Sequence, residues 1–198
     1  MIKLRNLNQE KPFLVFEEKY NDALLAKQKN IEAVCISSYS MENKEVNARY
    51  VNLKFINDRE FIFFSNYKSP KANDFQLHNQ VTVLIYWNST NVQIRMKGNI
   101  KKTSRKFNQA YFKNRDKNKN ALAISSEQSC SIPSYEDVNK LYRKSLENEN
   151  LIKCPNYWGG FSFTPYYFEF WKGHETRLNR REVYSLNNSE WIKSYLQP

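Results

Sequence analysis

The protein has 198 residues, and its 31 Lys and Arg residues outnumber its 20 Asp and Glu residues, for a formal net charge of +11 at pH 7. The length, the 40% of apolar residues and the 15% of aromatic residues fit one domain with its own hydrophobic core and argue against a disordered chain. The chain has only four glycines, so the glycine series of Rossmann and P-loop nucleotide sites are excluded, and any phosphate must be bound by side chains.

The first half of the chain is predicted to form one helix followed by strands. Apolar residues at helical spacing predict the helix at 12–27, with Pro12 in its first turn. β-branched and aromatic residues, in part alternating with polar ones, predict strands at 31–38, 48–56, 60–65, 81–87 and 91–102. The polar segment 66–78 is predicted to be a loop with a short helix.

Two serines are predicted to cap helices in the second half. Ser104 precedes a helix that carries Tyr111. Ser134 precedes a helix whose first turn holds Glu136 and Asp137, where acidic residues are favourable. Two helices are therefore expected between the strand that ends at 102 and the aromatic segment that begins at 161.

Strands are predicted again near the C-terminus. The aromatic segment 161–171 contains Pro165, which predicts an edge strand or a bent strand. Segments 181–186 and 190–196 predict a hairpin around an Asn187-Asn188 turn. Five to seven antiparallel strands with about three helices predict an α+β, mainly β chain, in the form of a β-barrel with peripheral helices.

Much of the positive charge is concentrated between Arg95 and Lys119. This window holds ten basic residues and one acid, Asp116. Such a surplus is typical of proteins that bind nucleic acid, membrane surfaces or small phosphorylated molecules, whereas a solvated helix face is the simpler interpretation. No RNA-recognition or helix-turn-helix motif accompanies the window, and we expect neither a nucleic-acid nor a membrane partner.

The cysteines and histidines argue against a metal centre. The three cysteines are far apart and the chain has two histidines, whereas a structural zinc site needs four clustered ligands. Unpaired cysteines are typical of a reducing compartment. With no apolar run of 18 residues and no signal-peptide pattern, the sequence predicts a cytoplasmic protein without a metal.

Two parts of the sequence carry residues suited to chemistry. RYVNLK at 49–54 is followed by FFSNYKSPK at 63–71, and their cations and hydroxyls can surround a phosphate with charge-assisted hydrogen bonds. WGG at 158–160, EFWKG at 169–173 and RLNRR at 177–181 occur at a spacing that is uncommon by chance. Core packing is the alternative interpretation of each tryptophan taken singly.

These motifs resemble those of the pyridoxine/pyridoxamine 5′-phosphate oxidases, flavin enzymes that act as homodimers. Three further segments carry the same resemblance: Val92-Gln93-Ile94, YFKNR at 111–115 and SEQS at 126–129. The resemblance covers nearly the whole chain. It implies one FMN-binding split β-barrel domain over residues 1–198, with peripheral helices.

The resemblance also implies which residues contact the cofactor FMN and the substrate, with both subunits contributing to each FMN site. The positions matched to FMN contacts are Arg49, Tyr50, Val51, Asn52, Leu53, Lys54, Phe64, Ser65, Lys71, Gln93, Gln128, Ser129, Trp171 and Arg181. The positions matched to substrate contacts are Lys54, Tyr111, Arg115, Lys119, Arg177 and Asn179. The first four of these are expected at the substrate phosphate, and Arg177 and Asn179 are expected to orient the substrate ring for catalysis.

Four positions depart from the family pattern. Asn52 stands where the strand motif of the family has a leucine. Pro70 stands where the family usually has an arginine, which removes one expected cation from the FMN phosphate, and Lys68 is a candidate to replace it. Lys119 stands where the family has a serine, and a lysine can also bind phosphate. Asn179 stands where the family has a histidine; it can donate a hydrogen bond but cannot carry the histidine's charge.

The activity implied by the resemblance is oxidation of pyridoxamine 5′-phosphate and pyridoxine 5′-phosphate to pyridoxal 5′-phosphate in vitamin B6 metabolism, with hydride transfer to flavin N5 and reduction of O2 to H2O2. No side-chain nucleophile is expected. Asn179 leaves open a sister flavin oxidase acting on another ring, as in phenazine biosynthesis. Two further possibilities are a flavin- or haem-binding split barrel without oxidase activity and, from a different class, a nucleic-acid-binding module.

Overall fold

The secondary structure in the computed structural model, which describes residues 1–198, consists of five helices and ten strands. The helices are α1 (Lys11–Leu25), α2 (Pro70–Leu77), α3 (Arg105–Lys113), α4 (Lys117–Ser125) and α5 (Tyr135–Asn148). The strands are β1 (Lys3–Arg5), β2 (Ala33–Ser40), β3 (Glu45–Asn52), β4 (Phe55–Asn57), β5 (Glu60–Asn66), β6 (Gln80–Trp87), β7 (Val92–Lys102), β8 (Trp158–Lys172), β9 (Arg180–Asn187) and β10 (Glu190–Leu196). The predicted α+β, mainly β class is confirmed. None of the five helices has the length and apolarity needed to cross a membrane.

All ten strands belong to one sheet that is organised around β8. The main path runs β1-β4-β5-β8-β7-β6-β2-β3, and only β1 and β4 pair in parallel. One side of β8 pairs with β7; on the other side, 158–163 pair with β5 and 167–172 pair with β9, to which β10 is added. Because β3 also contacts β5, the sheet curls into a barrel that is split where β8 changes partner.

The strand that contains Pro165 is central, so the edge-strand alternative for 161–171 is wrong. Pro165 lies between the part of β8 that pairs with β5 and the part that pairs with β9, so its missing N–H interrupts neither ladder. Against β7 the register shifts between Lys97 and Gly98, which leaves Tyr166 as the extra residue of a β-bulge. A Cβ on Gly98 would lie 2.7 Å from the Thr164 carbonyl oxygen, so the close approach at this bulge requires glycine.

The segment 48–56, predicted as one strand, forms β3 and β4 with a break at Leu53-Lys54. Leu53 N–H still donates to the Glu32 carbonyl at 2.9 Å, whereas Lys54 N–H donates to the Ile62 carbonyl at 2.8 Å. The chain thus passes from one side of the barrel to the other within two residues. This crossing, together with the three-residue strands β1 and β4, explains why the sequence underestimates the strand count.

The helix predictions for α1, α3 and α5 are confirmed, and α4 is an addition. The hydroxyls of Ser104 and Ser134 accept from backbone N–H groups three residues on, at 3.3 and 3.2 Å. The carboxylate of Asp116 caps α4 in the same way at 3.0 Å. The segment KNKNALAIS lacks a helical apolar stripe, so its periodicity does not reveal α4.

Aromatic side chains fill the barrel. Phe13 and Phe16 of α1 are fully buried and pack edge-on against Phe168 and Phe61 at ring-centroid distances of 5.3 and 5.1 Å. Phe61 in turn stacks on Phe163 at 5.1 Å. This rigid core positions the ends of β3 and β5, on which a cavity of about 750 Å³ is built.

Candidate functional site

The main cavity lies between the β3 and β5 ends and the α3–α4 corner, and its volume is about 750 Å³. It brings together thirteen of the residues predicted at FMN or substrate, drawn from six separate segments of the chain. They are Arg49, Tyr50, Val51, Asn52, Lys54, Phe64, Ser65, Lys71, Tyr111, Arg115, Lys119, Gln128 and Ser129. Leu53 is an exception, because its side chain is fully buried in the hydrophobic core and does not line the cavity.

Lys71 is a buried cation without a counter-ion. Its side chain is only 7% exposed, and its Nζ lies 3.4 Å from Ser65 Oγ and 3.3 Å from Ser69 Oγ. No carboxylate forms an ion pair with it. Burial, and secondarily the charge of Arg49, lowers the pKa of Lys71 to about 8. An ammonium surrounded by hydroxyls is a favourable arrangement for an incoming phosphate.

Arg49 is held beside Lys71 by a buried network. Its Nη1 donates to Ser38 Oγ at 2.7 Å, and its Nη2 lies 3.6 Å from Asp74 Oδ2. Ser38 Oγ also donates to Asp74 Oδ2 at 2.7 Å. Burial lowers the pKa of Arg49, and the Asp74 carboxylate opposes that effect. Asp74 pairs with Arg49, whereas no carboxylate lies within ion-pair distance of Lys71, which leaves this end of the cavity positive.

The loop after α4 is tied to the end of β5. Ser65 Oγ donates to Gln128 Oε1 at 3.1 Å, and Asn66 Nδ2 donates to the Ser126 carbonyl at 3.3 Å. Ser129 adopts a left-handed backbone with φ of 72°, which turns the chain at this point. These contacts bring the SEQS motif to the same cavity wall as FFSNYKSPK.

The opposite wall carries Tyr111 and Arg115. Tyr111 stacks on Phe64 with 3.9 Å between ring centroids, and burial raises its pKa. Tyr111 and Arg115 are four residues apart in sequence, but α3 ends at Lys113, so Arg115 does not share a helix face with Tyr111. The guanidinium instead lies over the ring of Trp158 at 5.0 Å and faces the same cavity from the turn between α3 and α4.

Charge around the cavity is strongly one-sided. Six cations line it, namely Lys3, Arg49, Lys54, Lys71, Arg115 and Lys119, whereas Asp116 is the one carboxylate in the lining. Lys54 Nζ also lies 3.7 Å from Glu32 Oε1 outside the lining. A surplus of this size fits two phosphate dianions and thus the donor chemistry that FMN and a phosphorylated substrate require.

A second group of predicted residues lies elsewhere, in register across β7, β8 and β9. Gln93 is opposite Trp171, and Trp171 is opposite Arg181. None of the three lines the main cavity. Gly160 of β8 pairs with the cavity residue Phe64 and lies eleven residues before Trp171. Eleven residues of strand span roughly 36 Å. In one chain the predicted site residues therefore form two separate groups, those at the main cavity and the group of Gln93, Trp171 and Arg181, which we call the Trp171 half-site.

Arg181 is held in place by Glu169, the first residue of the EFWKG motif, a role that the motif itself did not indicate. Glu169 is 3% exposed, and its Oε1 accepts from Arg181 Nε at 2.8 Å. Its Oε2 accepts from Arg95 Nε at 3.0 Å and from the Tyr167 hydroxyl at 3.1 Å. Burial opposes ionisation, but the hydrogen bonds from Arg95 and Arg181 hold the pKa of Glu169 below its ordinary value.

Arg177 and Asn179 lie on the loop between β8 and β9, away from the main cavity. Arg177 is exposed and has a left-handed backbone with φ of 65°. Asn179 Oδ1 accepts from the His174 backbone N–H at 3.0 Å. Its side-chain oxygen thus organises the loop, which leaves only the amide NH2 group for a substrate.

The structure changes one interpretation made from the sequence, the role given to Lys68. Lys68, the candidate replacement for the arginine absent at Pro70, lies over the Tyr157 ring at 5.4 Å and does not line the cavity. Pro70 itself lines the cavity as the first residue of α2. Asn114, a position of the YFKNR motif to which no role was given, also lines it, as does Lys3, which belongs to no motif.

Comparison with known proteins agrees with the motifs. The family model described as pyridoxamine 5′-phosphate oxidase matches residues 18–137, and the model described as the pyridoxine 5′-phosphate oxidase C-terminal dimerisation region matches residues 158–198. A pyridoxine/pyridoxamine 5′-phosphate oxidase of Hydrogenovibrio crunogenus is 33% identical over 96% of this chain and 89% of its own length. One from Coxiella burnetii is 33% identical over 94% of this chain and 95% of its own length.

Solved structures show the same fold. PhzG from Burkholderia lata, in complex with tetrahydrophenazine-1-carboxylic acid, superposes with a TM-score of 0.89 at 22% identity, covering 95% of this chain and 93% of the other. A pyridoxamine 5′-phosphate oxidase-related, FMN-binding protein from Nostoc punctiforme superposes with a TM-score of 0.76 at 15% identity, covering 92% and 97%. The predicted split barrel with peripheral helices is thereby confirmed.

Proposed function

The chain belongs to the pyridoxamine 5′-phosphate oxidase family, and on that premise we propose that it is an FMN-dependent oxidase that converts pyridoxamine 5′-phosphate and pyridoxine 5′-phosphate to pyridoxal 5′-phosphate. The observation that carries the proposal is the cavity in which buried Lys71 and half-buried Arg115 lack carboxylate partners. Such cations are strongly stabilised when anions approach them, and both FMN and the substrates carry a phosphate.

FMN is proposed to bind along β3 and the β5–α2 loop. Arg49, Ser65 and Lys71 supply the charges and hydroxyl for its phosphate, with Gln128 and Ser129 closing the wall. Bound FMN supplies the redox chemistry, as acceptor of a hydride at N5 and donor of electrons to O2, which yields H2O2. With the redox chemistry in the cofactor, the protein needs no side-chain nucleophile.

The substrate phosphate is proposed to bind at the opposite wall. Lys54, Arg115 and Lys119 provide charge, and the Tyr111 hydroxyl provides a hydrogen bond. Fixing the phosphate holds the substrate at one end, so that its reactive carbon is oriented by geometry rather than by covalent bonding. Arg177, from the second subunit, is proposed to steer the ring.

A homodimer is proposed to complete each site, and the sheet supports this arrangement. Tyr50, Leu84 and Tyr86 are 77%, 36% and 56% exposed, although they are large and apolar. Strand register places Leu84 and Tyr86 on the same face as Gln93 and Trp171. A second copy that covers this face would shield the apolar side chains and bring the Trp171 half-site to its partner's cavity. The C-terminal match to a dimerisation region supports the same proposal.

The proposal treats residues 1–198 as one FMN-binding domain that acts in the cytoplasm. The sheet supports a single domain. Residues 18–137 and residues 158–198, which match the two family models, contribute strands to the same sheet, and β8 joins the two sets of strands. The three cysteines form no disulfide, which agrees with a reducing compartment such as the cytoplasm.

A turnover assay tests the function. Purified protein should be yellow, and addition of pyridoxine 5′-phosphate or pyridoxamine 5′-phosphate should yield the aldehyde and one equivalent of H2O2. A protein that stays colourless after addition of FMN would refute the cofactor assignment.

A sister flavin oxidase that acts on another ring is the second candidate. The observation that favours it is Asn179, whose oxygen is engaged by the His174 N–H and which offers the substrate only an amide. A yellow protein that turns over neither B6 phosphate would favour this candidate, and turnover of another ring substrate would distinguish it from a flavin-binding barrel without oxidase activity.

A further inference from the structure

Asn120 of α4 is a fully buried amide that joins three segments of the chain. Its Nδ2 donates to the Phe112 carbonyl at the end of α3 and to the Leu151 carbonyl before β8, both at 2.8 Å. Its Oδ1 accepts from Arg115 Nη1 at 2.9 Å. Both amide hydrogens and the oxygen are therefore engaged, and the motifs in the sequence do not identify this residue.

Arg115 is held only by neutral partners. Besides Asn120, its Nη1 donates to the Lys119 carbonyl at 2.8 Å, and its guanidinium rests on the Trp158 ring. No carboxylate forms an ion pair with it, and its Nε and Nη2 have no acceptor in the protein. One edge of the guanidinium is thus fixed, while the charge and the remaining donors are free toward the cavity.

The location of Arg115 explains why it needs such support. It lies in the short turn between α3 and α4, outside both helices, where the backbone alone restrains a long side chain poorly. Asn120 connects this turn to the α3 end and to the segment that leads into β8. Asn120 therefore acts on the turn and on the guanidinium at once.

We infer that Asn120 is the positioning residue that holds the Arg115 guanidinium at the cavity with its charge unneutralised, ready for the phosphate of the substrate. The inference rests on the proposed function for the identity of that phosphate. An aspartate at this position would neutralise Arg115 and would place its second oxygen against two carbonyls. Only an amide both accepts from the arginine and donates to Phe112 and Leu151.

The first test needs no ligand beyond the cofactor. In 15N-labelled protein loaded with FMN, NMR of the arginine side chains should show slow rotation of the Arg115 guanidinium. Asn120→Ala should make that rotation fast, whereas Asn118→Ala, which removes an exposed amide of the same helix, should leave it slow. Fast rotation in the wild type, or slow rotation in Asn120→Ala, would overturn the inference.

The second test is a double-mutant cycle in binding, with pyridoxal 5′-phosphate as the probe and unphosphorylated pyridoxal as the reference. Titration calorimetry on the FMN-loaded protein should show a loss of about tenfold in pyridoxal 5′-phosphate affinity for Asn120→Ala, and a larger loss for Arg115→Ala. The double variant should bind like Arg115→Ala alone, and the weak affinity for pyridoxal should not change.

The outcomes distinguish a failure of the inference from a failure of the proposed function. If the losses in binding free energy of the two single variants add up in the double variant, Asn120 does not act through Arg115, and the inference is overturned. A wild type that shows no preference for pyridoxal 5′-phosphate over pyridoxal would overturn the proposed function, while the NMR result would still decide whether Asn120 restrains Arg115. Thermal unfolding of each variant identifies any loss of fold.

Discussion

Lys71 Nζ lies 3.4 Å from Ser65 Oγ at the floor of the main cavity, and no carboxylate pairs with this ammonium. The lysine comes from the first turn of α2 and the serine from the end of β5, so the pair forms only where the β5–α2 loop folds back on itself. A buried charge with hydroxyl partners alone is costly in the apoprotein and is stabilised by an anion.

Replacing Lys71 by methionine should therefore have opposite effects on stability and on binding. The shift of its pKa from 10.5 to about 8 corresponds to a penalty of the order of 3 kcal/mol in the apoprotein at neutral pH. Lys71→Met should raise the apoprotein melting temperature and weaken FMN binding by about 10- to 100-fold. Calorimetry of apoprotein and flavin fluorescence titration measure the two effects. Lys68→Met, outside the cavity, should change neither.

The same lysine predicts how FMN affinity depends on pH. Below about pH 8 Lys71 is protonated in the free protein, and above it the cation must regain a proton to pair with the phosphate. Affinity should then fall about tenfold per pH unit above pH 8, up to the pKa that Lys71 has in the complex. The destabilisation that results from burying this charge is complete below pH 8, and it disappears as the pH rises toward 10.5, the ordinary pKa of lysine. A flat profile in Lys71→Met is the control, and an equally steep one would assign the titration to another group.

Arg115→Ala should affect the substrate and leave the cofactor bound. We expect KM for phosphorylated substrates to rise by about 10- to 100-fold, with FMN affinity unchanged, because Arg115 lies on the wall opposite Lys71. Steady-state kinetics and flavin titration check this. Lys106→Ala removes an exposed cation of α3 and should leave KM unchanged. Loss of FMN from Arg115→Ala would show that the two phosphates are assigned to the wrong walls.

Glu169→Gln should destabilise the fold, because two arginines lose their shared buried carboxylate. Removing one partner from such a network costs about 3 kcal/mol, and thermal or urea unfolding measures it. In the wild type the lowered pKa of Glu169 means that its contribution is present above the ordinary carboxyl pKa and is lost as the pH falls through the value in the folded protein. Glu60→Gln, which breaks an exposed pair with Lys101, should cost less than about 1 kcal/mol. Equal effects of the two variants would contradict the role given to Glu169.

Mixed dimers test whether sites are shared between subunits. Lys71→Met and Arg181→Ala homodimers should each bind FMN poorly, since every site contains one altered residue. After unfolding and refolding together, half of the dimers should be mixed, and each mixed dimer should hold one intact site, so about a quarter of all sites recover. Flavin absorbance after gel filtration counts them. No recovery would mean that Lys71 and Arg181 serve the same site from one chain.

Local patterns in the sequence determined much of this protein. Alternation and aromatic content located β2, β5, β6 and β7, and the serine caps at Ser104 and Ser134 located α3 and α5. Motif spacing identified the family and most of the cavity lining. These features could be predicted because capping, alternation and motifs each depend on residues that are close in sequence.

Only the tertiary structure decided what depends on distant parts of the chain. It placed β8, the strand that contains Pro165, at the centre of the sheet. Pro165 lies at the bulge opposite Gly98, between the part of β8 that pairs with β5 and the part that pairs with β9, so its missing N–H interrupts neither ladder. It put Leu53 in the core, separated the Trp171 half-site from the cavity, and brought Asn120 to Leu151 and Glu169 to Arg95. Burial and partner choice are set by packing between remote segments, which no local pattern encodes.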